Sequence, residues 1–194
     1  MDSNSNMLKI IAGEYRGRIL KTPAGKQVRP SSGLLRGVIF NVLGDFVAGK
    51  KVLDIYAGSG ALGIEALSRG AAEVTLVEAD RSTAGLISQN LEMLKVQNNA
   101  KVIIQNVLDF MAAAGEQYDL ILADPPYLAN VSSQILDMAA KHGLLAPDGI
   151  LVIQHHRAEK IVPETQGLAL WKCKKHGKSS VEFYTVSNEQ DIHV

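Results

Sequence analysis

The sequence predicts an α/β fold built on an open, largely parallel sheet with helices on both faces and an antiparallel last strand. Three observations predict it. From Lys51 to Gln154, short apolar runs (VLDI, VTLV, VIIQ, LILA, ILVI) alternate with stretches of helical spacing, the pattern of successive βαβ units. Those runs are nearly continuous in apolar residues rather than alternating, as expected of strands covered on both faces. After Pro163 the pattern becomes strand, turn, strand with no helix between, which a parallel crossover cannot accommodate.

The elements follow in order. Met1–Asn6 is polar, without the basic-then-apolar order of a signal peptide, and reads as a disordered tail. Leu8–Ala12 and Ile19–Lys21 flank a Gly-containing segment and predict a small β-hairpin. Thr22–Pro30 is a loop. Ser31–Phe46 carries Leu34, Leu35, Val38, Ile39, Val42 and Leu43 at helical spacing, with Ser31 or Ser32 as N-cap. Strands are predicted at 51–57, 74–78, 102–105, 118–123 and 150–154, and helices at 60–69, 82–96, 107–114 and 130–142. A closing hairpin pairs 168–174 with 181–186 across His176-Gly177-Lys178-Ser179. The chain divides into a tail (1–6), an N-terminal hairpin and helix (7–48), the α/β domain (49–187) and a C-terminal tail (188–194).

Composition narrows the function classes. With 194 residues, 46% of them hydrophobic, the chain can bury one core. No apolar run is long enough to span a membrane. One cysteine, Cys173, allows no intrachain disulfide, and the five histidines show no metal-ligand spacing. A cytoplasmic, metal-free protein is expected. Net charge is zero but unevenly distributed: residues 7–51 hold nine Lys/Arg against two Asp/Glu, and residues 52–150 hold five against twelve. A basic arm precedes an acidic middle, which suits phosphates at one end and a cation in the other part.

Two motifs carry chemistry. Gly58-Ser59-Gly60 and Gly63 follow the first strand and open a helix, in the Gly-x-Gly-x-x-Gly spacing that lets a backbone approach a nucleotide closely. Asp54 stands just before them, and Glu78 ends the next strand 18 residues after Gly60, where an acid can accept hydrogen bonds from ribose hydroxyls. A carboxylate at Asp54 is awkward for a pyrophosphate and suits an ammonium group, which favours S-adenosylmethionine over NAD. Asp124-Pro125-Pro126-Tyr127 ends the fourth strand, on the ligand-binding edge of such a sheet. The prolines remove two donors and stiffen the loop. What is left is a set of acceptors, headed by the Asp124 carboxylate, that can orient an amine nucleophile, with the Tyr127 ring placed to stack on a base.

These stretches, with IIAGEYRGRIL from Ile10, Arg29-Pro30, Arg36, Phe40-Asn41, LDIYAGSGALGIEALSRGA from Leu53, VEAD from Val77 and DPPY from Asp124, resemble the bacterial small-subunit ribosomal RNA guanine-N2 methyltransferase family of the RsmD type. The similarity spans about residues 7–187. It implies the class I methyltransferase fold, a Rossmann-like seven-stranded sheet with an antiparallel C-terminal strand, preceded by an N-terminal β-hairpin. It implies transfer of a methyl group from S-adenosylmethionine, leaving S-adenosylhomocysteine, to the N2 of a guanine in 16S rRNA within an assembled or assembling 30S particle, by a monomer. It places Ala57, Gly58, Ser59 and Gly60 at the methionine part of the cofactor, with Asp54 beside them, Glu78 at the ribose, and Asn106 and Val107 at the adenine. Asp124 and Pro125 would hold the target amine, Tyr127 the base, and Arg16, Arg18, Arg29 and Arg36 the RNA. Gly33 and Gly37 depart from the family's pattern, which usually has acidic residues there. The acceptor loop alone also fits adenine N6 or a protein glutamine as substrate. Two other classes stay open: an NAD-dependent oxidoreductase, which leaves DPPY unexplained, and a non-catalytic rRNA-binding assembly factor.

Overall fold

The computed structural model describes residues 7–23, 30–126, 131–161, 164–165 and 167–187. Arg29, Tyr127 and both tails lie outside them. The strands are β1 (Lys51–Ile55), β2 (Glu73–Glu78), β3 (Ala100–Ile104), β4 (Tyr118–Ala123), β5 (Leu145–His156), β6 (Glu164–Thr165), β7 (Leu168–His176) and β8 (Ser179–Val186). The helices are α1 (Pro30–Leu43), α2 (Ala61–Ser68), α3 (Arg81–Leu94), α4 (Val107–Ala113) and α5 (Ser132–Lys141). All eight strands form one sheet in the order β3-β2-β1-β4-β5-β8-β7-β6. β3 to β5 are parallel, and β8 inserts antiparallel to both β5 and β7. This is the expected seven-stranded architecture, with β6 added at the edge as a two-residue eighth strand.

Alternation along each strand sends neighbours into two layers. Val52 and Leu76 join Leu35, Ile39, Phe40, Ile64, Ile87 and Leu91 on one face. Leu53, Ile55 and Val77 join Phe110, Met111, Ile135 and Leu136 on the other. Helices α1, α2 and α3 thus cover one side, and α4 and α5 the other. Gly63 permits the tight α2–sheet contact: a Cβ there would lie 2.9 Å from Leu76 Cδ2 and 3.0 Å from Val74 Cγ1.

Helix α1 begins at Pro30 rather than after a serine cap, as suits a residue with fixed φ and no N–H to satisfy. It ends at Leu43, where Gly44 takes φ +52° and a 3-10 turn (Gly44–Val47) follows. β5 is twelve residues long against the five expected, because Leu145 already pairs with Tyr118 across an irregularity in β4.

The N-terminal hairpin is short: Ile10 N–H donates to the Arg18 carbonyl at 3.0 Å and Leu20 N–H to the Leu8 carbonyl at 2.8 Å. Among the described residues it holds one bridge, Lys9 to Ile19. It extends no further because the donors from Ile11 to Tyr15 that leave the hairpin turn toward α2. Ile11 and Ala12 N–H donate to the Glu65 carboxylate at 2.8 and 3.0 Å. Tyr15 N–H donates to Ser68 Oγ at 3.0 Å, and Ser68 Oγ donates to the Ala12 carbonyl at 2.6 Å. Gly13 passes so close that a Cβ would sit 1.7 Å from the Ser68 carbonyl oxygen.

Glu65 is fully buried and also pairs with Arg69 Nε at 2.9 Å and Arg36 Nε at 3.5 Å. The Arg69 guanidinium lies 4.8 Å from the centre of the Phe40 ring, so two cation contacts join α1 to α2. Arg36, expected at the RNA, is 4% exposed, and its Nη2 donates to the Lys9 carbonyl. Burial pushes this guanidinium down from its ordinary pKa against the opposing pull of Glu65. It ties the arm to the domain through Lys9 and Glu65.

Removing one member of a buried ion pair strands its partner, at about 3–5 kcal/mol. Glu65→Ala is therefore expected to lower the melting temperature by roughly 6–20 °C. A thermal melt within 2 °C of wild type would refute this account of how the arm is held.

Candidate active site

The parallel strands end along one edge, and the loops that follow β1, β2 and β4 gather there. A cavity of about 710 Å³ opens among them. Tyr56, Ala57, Gly58 and Ser59 form its floor, Glu78 and Asp80 one side, and Asp124 with Gln154 the other. The N-terminal segment supplies a wall through Leu8, Thr22, Pro23 and Arg36.

The floor is backbone held in unusual conformation. Tyr56 has φ +59°, uncommon for a side chain of its size, and Gly58 and Gly60 have φ +57° and +79°. Gly60 could not be replaced freely, since a Cβ would press on Ile64, Ile87 and Leu76 at 3.2 Å. The turn is fixed from three sides. Gly58 N–H donates to Glu78 Oε2 at 2.9 Å, Gly63 N–H donates to Asp54 Oδ2 at 2.8 Å, and Asn90 Nδ2 donates to the Ser59 carbonyl at 3.1 Å.

The expected site residues distribute as follows. Ala57, Gly58, Ser59, Glu78 and Asp124 line the cavity. Gly60 sits behind the lining and starts α2. Asp54 lies beneath the loop, 1% exposed, with Oδ1 buried and lacking a hydrogen bond. Its Oδ2 accepts from Gly63 N–H and supports the loop from below. Asn106 and Val107 are not brought to the cavity: Asn106 caps α4, accepting from Leu108 and Asp109 N–H, and Val107 is buried against the second core. Arg16 and Arg18 are exposed on the arm. Arg29 and Tyr127 fall outside the described residues. Pro125 is buried and Pro126 exposed.

Three participants were not singled out in the sequence. Gln154, at the carboxyl end of β5, donates from Nε2 to Asp124 Oδ1 at 2.8 Å and holds that carboxylate in place. A polar residue closing the apolar run ILVI was the available signal. Asn90 lies on the apolar stripe of α3 with Ile87, Leu91 and Leu94, fully buried. It accepts from Lys21 N–H at 2.8 Å and donates to the Lys21 carbonyl, stitching the arm to the glycine loop. Tyr56 carried no sequence signal, since its conformation is set by the loop.

The electrostatics are acidic. Glu78, Asp80 and Asp124 line the cavity and Asp54 lies under it. Burial, reinforced by the charges of Asp124 and Glu78 and opposed by the Gly63 N–H, raises the Asp54 carboxyl to about 7. Such a site favours a cation and disfavours a pyrophosphate. Among the described residues no group of three or more His, Cys, Asp or Glu could hold a metal ion, and no helix is long and apolar enough to cross a membrane.

The profile of a family described as "Conserved hypothetical protein 95" matches residues 8–185. The chain belongs to that family. It is 36% identical over 182 residues to "Ribosomal RNA small subunit methyltransferase D" of Escherichia coli (strain K12), covering 94% of this chain and 91% of that protein. It is 32% identical over 180 residues to the protein of the same name from Haemophilus influenzae, covering 91% and 93%. Among solved structures, the yhhF protein of Escherichia coli superposes with a TM-score of 0.83 at 31% identity, covering 94% of this chain and 99% of that one. The fold is the class I methyltransferase fold.

An acid whose pKa is higher folded than unfolded binds more protons in the native state across the interval between them. Asp54 titrates at about 7 when folded against an ordinary 3.8. The stability it leaves to the native state is therefore greatest below pH 4, falls as pH rises from about 4 to about 7, and is flat above. The stability difference between wild type and Asp54→Asn should shift in the variant's favour across that window, by up to ~1.4 kcal/mol per pH unit. Urea unfolding at pH 4.5, 6 and 8 measures it, and a pH-independent difference would rule it out.

Proposed function

We propose that this protein transfers a methyl group from S-adenosylmethionine to the exocyclic N2 of a guanine in small-subunit (16S) ribosomal RNA, acting on free or assembling 30S material. The observation that carries the reading is Asp124-Pro125-Pro126 on the lip of an acidic, glycine-floored cavity, its carboxylate fixed by Gln154. The relatives named ribosomal RNA small subunit methyltransferase D support the RNA substrate.

The residues present fit this cofactor. Gly58 and Gly60 let the backbone approach it, Glu78 accepts from ribose hydroxyls, and the carboxylates around the cavity neutralise its positive groups. When bound, it supplies an electrophilic methyl group on a sulfonium. The chain's own work is on the amine. Asp124 and the carbonyls beside it accept the N–H groups of N2, so that its lone pair faces the methyl group in line. Pro125 and Pro126 offer no competing N–H. Gln154 keeps the Asp124 carboxylate aimed without reorganisation, and such positioning supplies most of the rate in a displacement of this kind. The amine proton leaves after transfer, with Asp124 as its nearest acceptor. Because a paired guanine cannot enter the cavity, the target nucleotide is unstacked or flipped. Arg16 and Arg18, exposed on the arm, face the RNA, and residues 7–48 act as its docking extension.

The test uses radiolabelled S-adenosylmethionine and small ribosomal subunits from a strain lacking its own guanine-N2 enzyme. Labelled N2-methylguanosine is the expected product. Asp124→Ala should lower kcat by about 10²–10³-fold, as expected for loss of one preorganised group, with cofactor affinity changed little. Label on adenine or on protein would move the substrate, and cofactor binding with no transfer would overturn the reading.

A further inference from the structure

The β7–β8 hairpin takes no part in the cavity and carries a concentration of positive charge. From Leu168 to Val181 there are four lysines and no carboxylate. Lys174, Lys175, His176 and Lys178 are exposed, as is Arg157 beside them. Among the described residues, no ion pair engages Lys172, Lys174, Lys175 or Lys178. Glu182, opposite Cys173, acts on Lys175, but four closely spaced lysines still outnumber it and repel one another, which an anion would relieve.

The hairpin is built to hold these cations in one place. Its turn is only Gly177-Lys178, with Gly177 at φ +55°. Arg157 locks the tip: its backbone N–H donates to the Lys178 carbonyl at 2.9 Å and its Nη1 to the Gly177 carbonyl at 3.1 Å. An irregularity between Leu170 and Lys172 breaks the strand's alternation and leaves Trp171 49% exposed beside Lys172. Its ring stands edge-on to Phe183, with Lys172 Nζ 4.7 Å from the ring centre.

Register sets where the tip points. His156 pairs with Ser179, and Gln154 with Val181. The tip therefore overhangs the carboxyl end of β5, three residues or roughly 10 Å beyond Gln154, on the edge where Gln154 meets Asp124.

We propose that the β7–β8 hairpin tip, through Lys174, Lys175 and Lys178, is a second phosphate-binding surface that grips the RNA on the β8 side of the cavity. This rests on the RNA-methylating reading above. It adds a fixed cluster of cations beside the cavity, so that the strand is held next to the nucleotide drawn into it. Rigid placement of the tip by Arg157 gives the grip a fixed distance from Asp124, which a loose basic tail would not.

The test compares wild type, the triple variant Lys174→Gln/Lys175→Gln/Lys178→Gln and the triple Lys→Arg variant. Binding to deproteinised 16S RNA and to assembled small subunits is measured at several salt concentrations, alongside S-adenosylmethionine affinity and methyl transfer. The Gln variant should keep its melting temperature and cofactor affinity. It should bind RNA about 10–100-fold more weakly at moderate salt, with a log–log salt slope shallower by roughly 2, the amount for three phosphate contacts on single-stranded RNA. The Arg variant should recover both. If wild type methylates RNA and the Gln variant binds it with the same affinity and salt slope, the hairpin proposal falls alone. Weakened binding to the assembled subunit with unchanged binding to bare RNA would replace it with an acidic protein surface. A wild type that neither binds nor methylates the RNA overturns the RNA reading and the hairpin with it.

Discussion

The buried carboxylate of Glu65 is the constraint on which the site depends. A charge with no solvent exposure must be met by partners from several directions, and here they come from three parts of the chain. Arg69 is its own helical neighbour, Arg36 reaches from α1, and Ile11 and Ala12 N–H reach from the N-terminal arm. Helix α2, which carries Glu65, is the same helix whose first residues close the glycine loop. The arm, α1 and the cavity floor are therefore registered against one another through a single side chain. This explains why an extension that begins as a few residues of irregular chain can form a defined wall of the cavity through Leu8, Thr22 and Pro23. Asn90 repeats the device from α3, holding Lys21 and Ser59 together.

Within this frame the cavity concentrates negative charge at strand ends. Asp54, Glu78 and Asp124 stand at or near the carboxyl ends of three neighbouring parallel strands, so the topology β2-β1-β4 brings them together. Two of them orient backbone donors of the loop, and the third is oriented by Gln154. The same groups that shape the loop thus supply its field. Apart from Arg36, which is neutralised by Glu65, basic side chains lie outside this region, among them those on the arm and on the β7–β8 hairpin. A cation-seeking interior with basic surfaces outside it is the charge arrangement that the proposed function calls for.

Much of this was legible in the residues. The strands 74–78 and 118–123 and their neighbours announced themselves because a two-sided parallel sheet needs continuous apolar runs, and β4 falls on its expected bounds. The glycine loop and Asp124 were legible because close backbone approach and rigid acceptors require particular residue types at particular spacings. Other features were hidden for physical reasons. Arg36 looked like part of a basic arm, since a sequence does not show that a guanidinium will be enclosed by a carboxylate 29 positions away. Asn106 looked like a ligand contact at a strand end, but its side chain serves the next helix as a cap. The N-terminal hairpin forms, but its docking on Glu65 and Ser68 was not legible.

The sequence by itself determined the layered α/β class, the glycine turn and the acceptor loop, because periodicity and backbone stereochemistry are local properties. It also determined the charge asymmetry of the chain. Tertiary structure alone decided which charges are enclosed and which face outward. It paired Arg36 with Glu65, set Gln154 against Asp124, put Asp54 under the loop instead of in the cavity, and aimed the β7–β8 tip over the same edge as the cavity. These are consequences of strand order and helix packing, which bring together residues 20 to 70 positions apart, and no short-range pattern encodes such meetings.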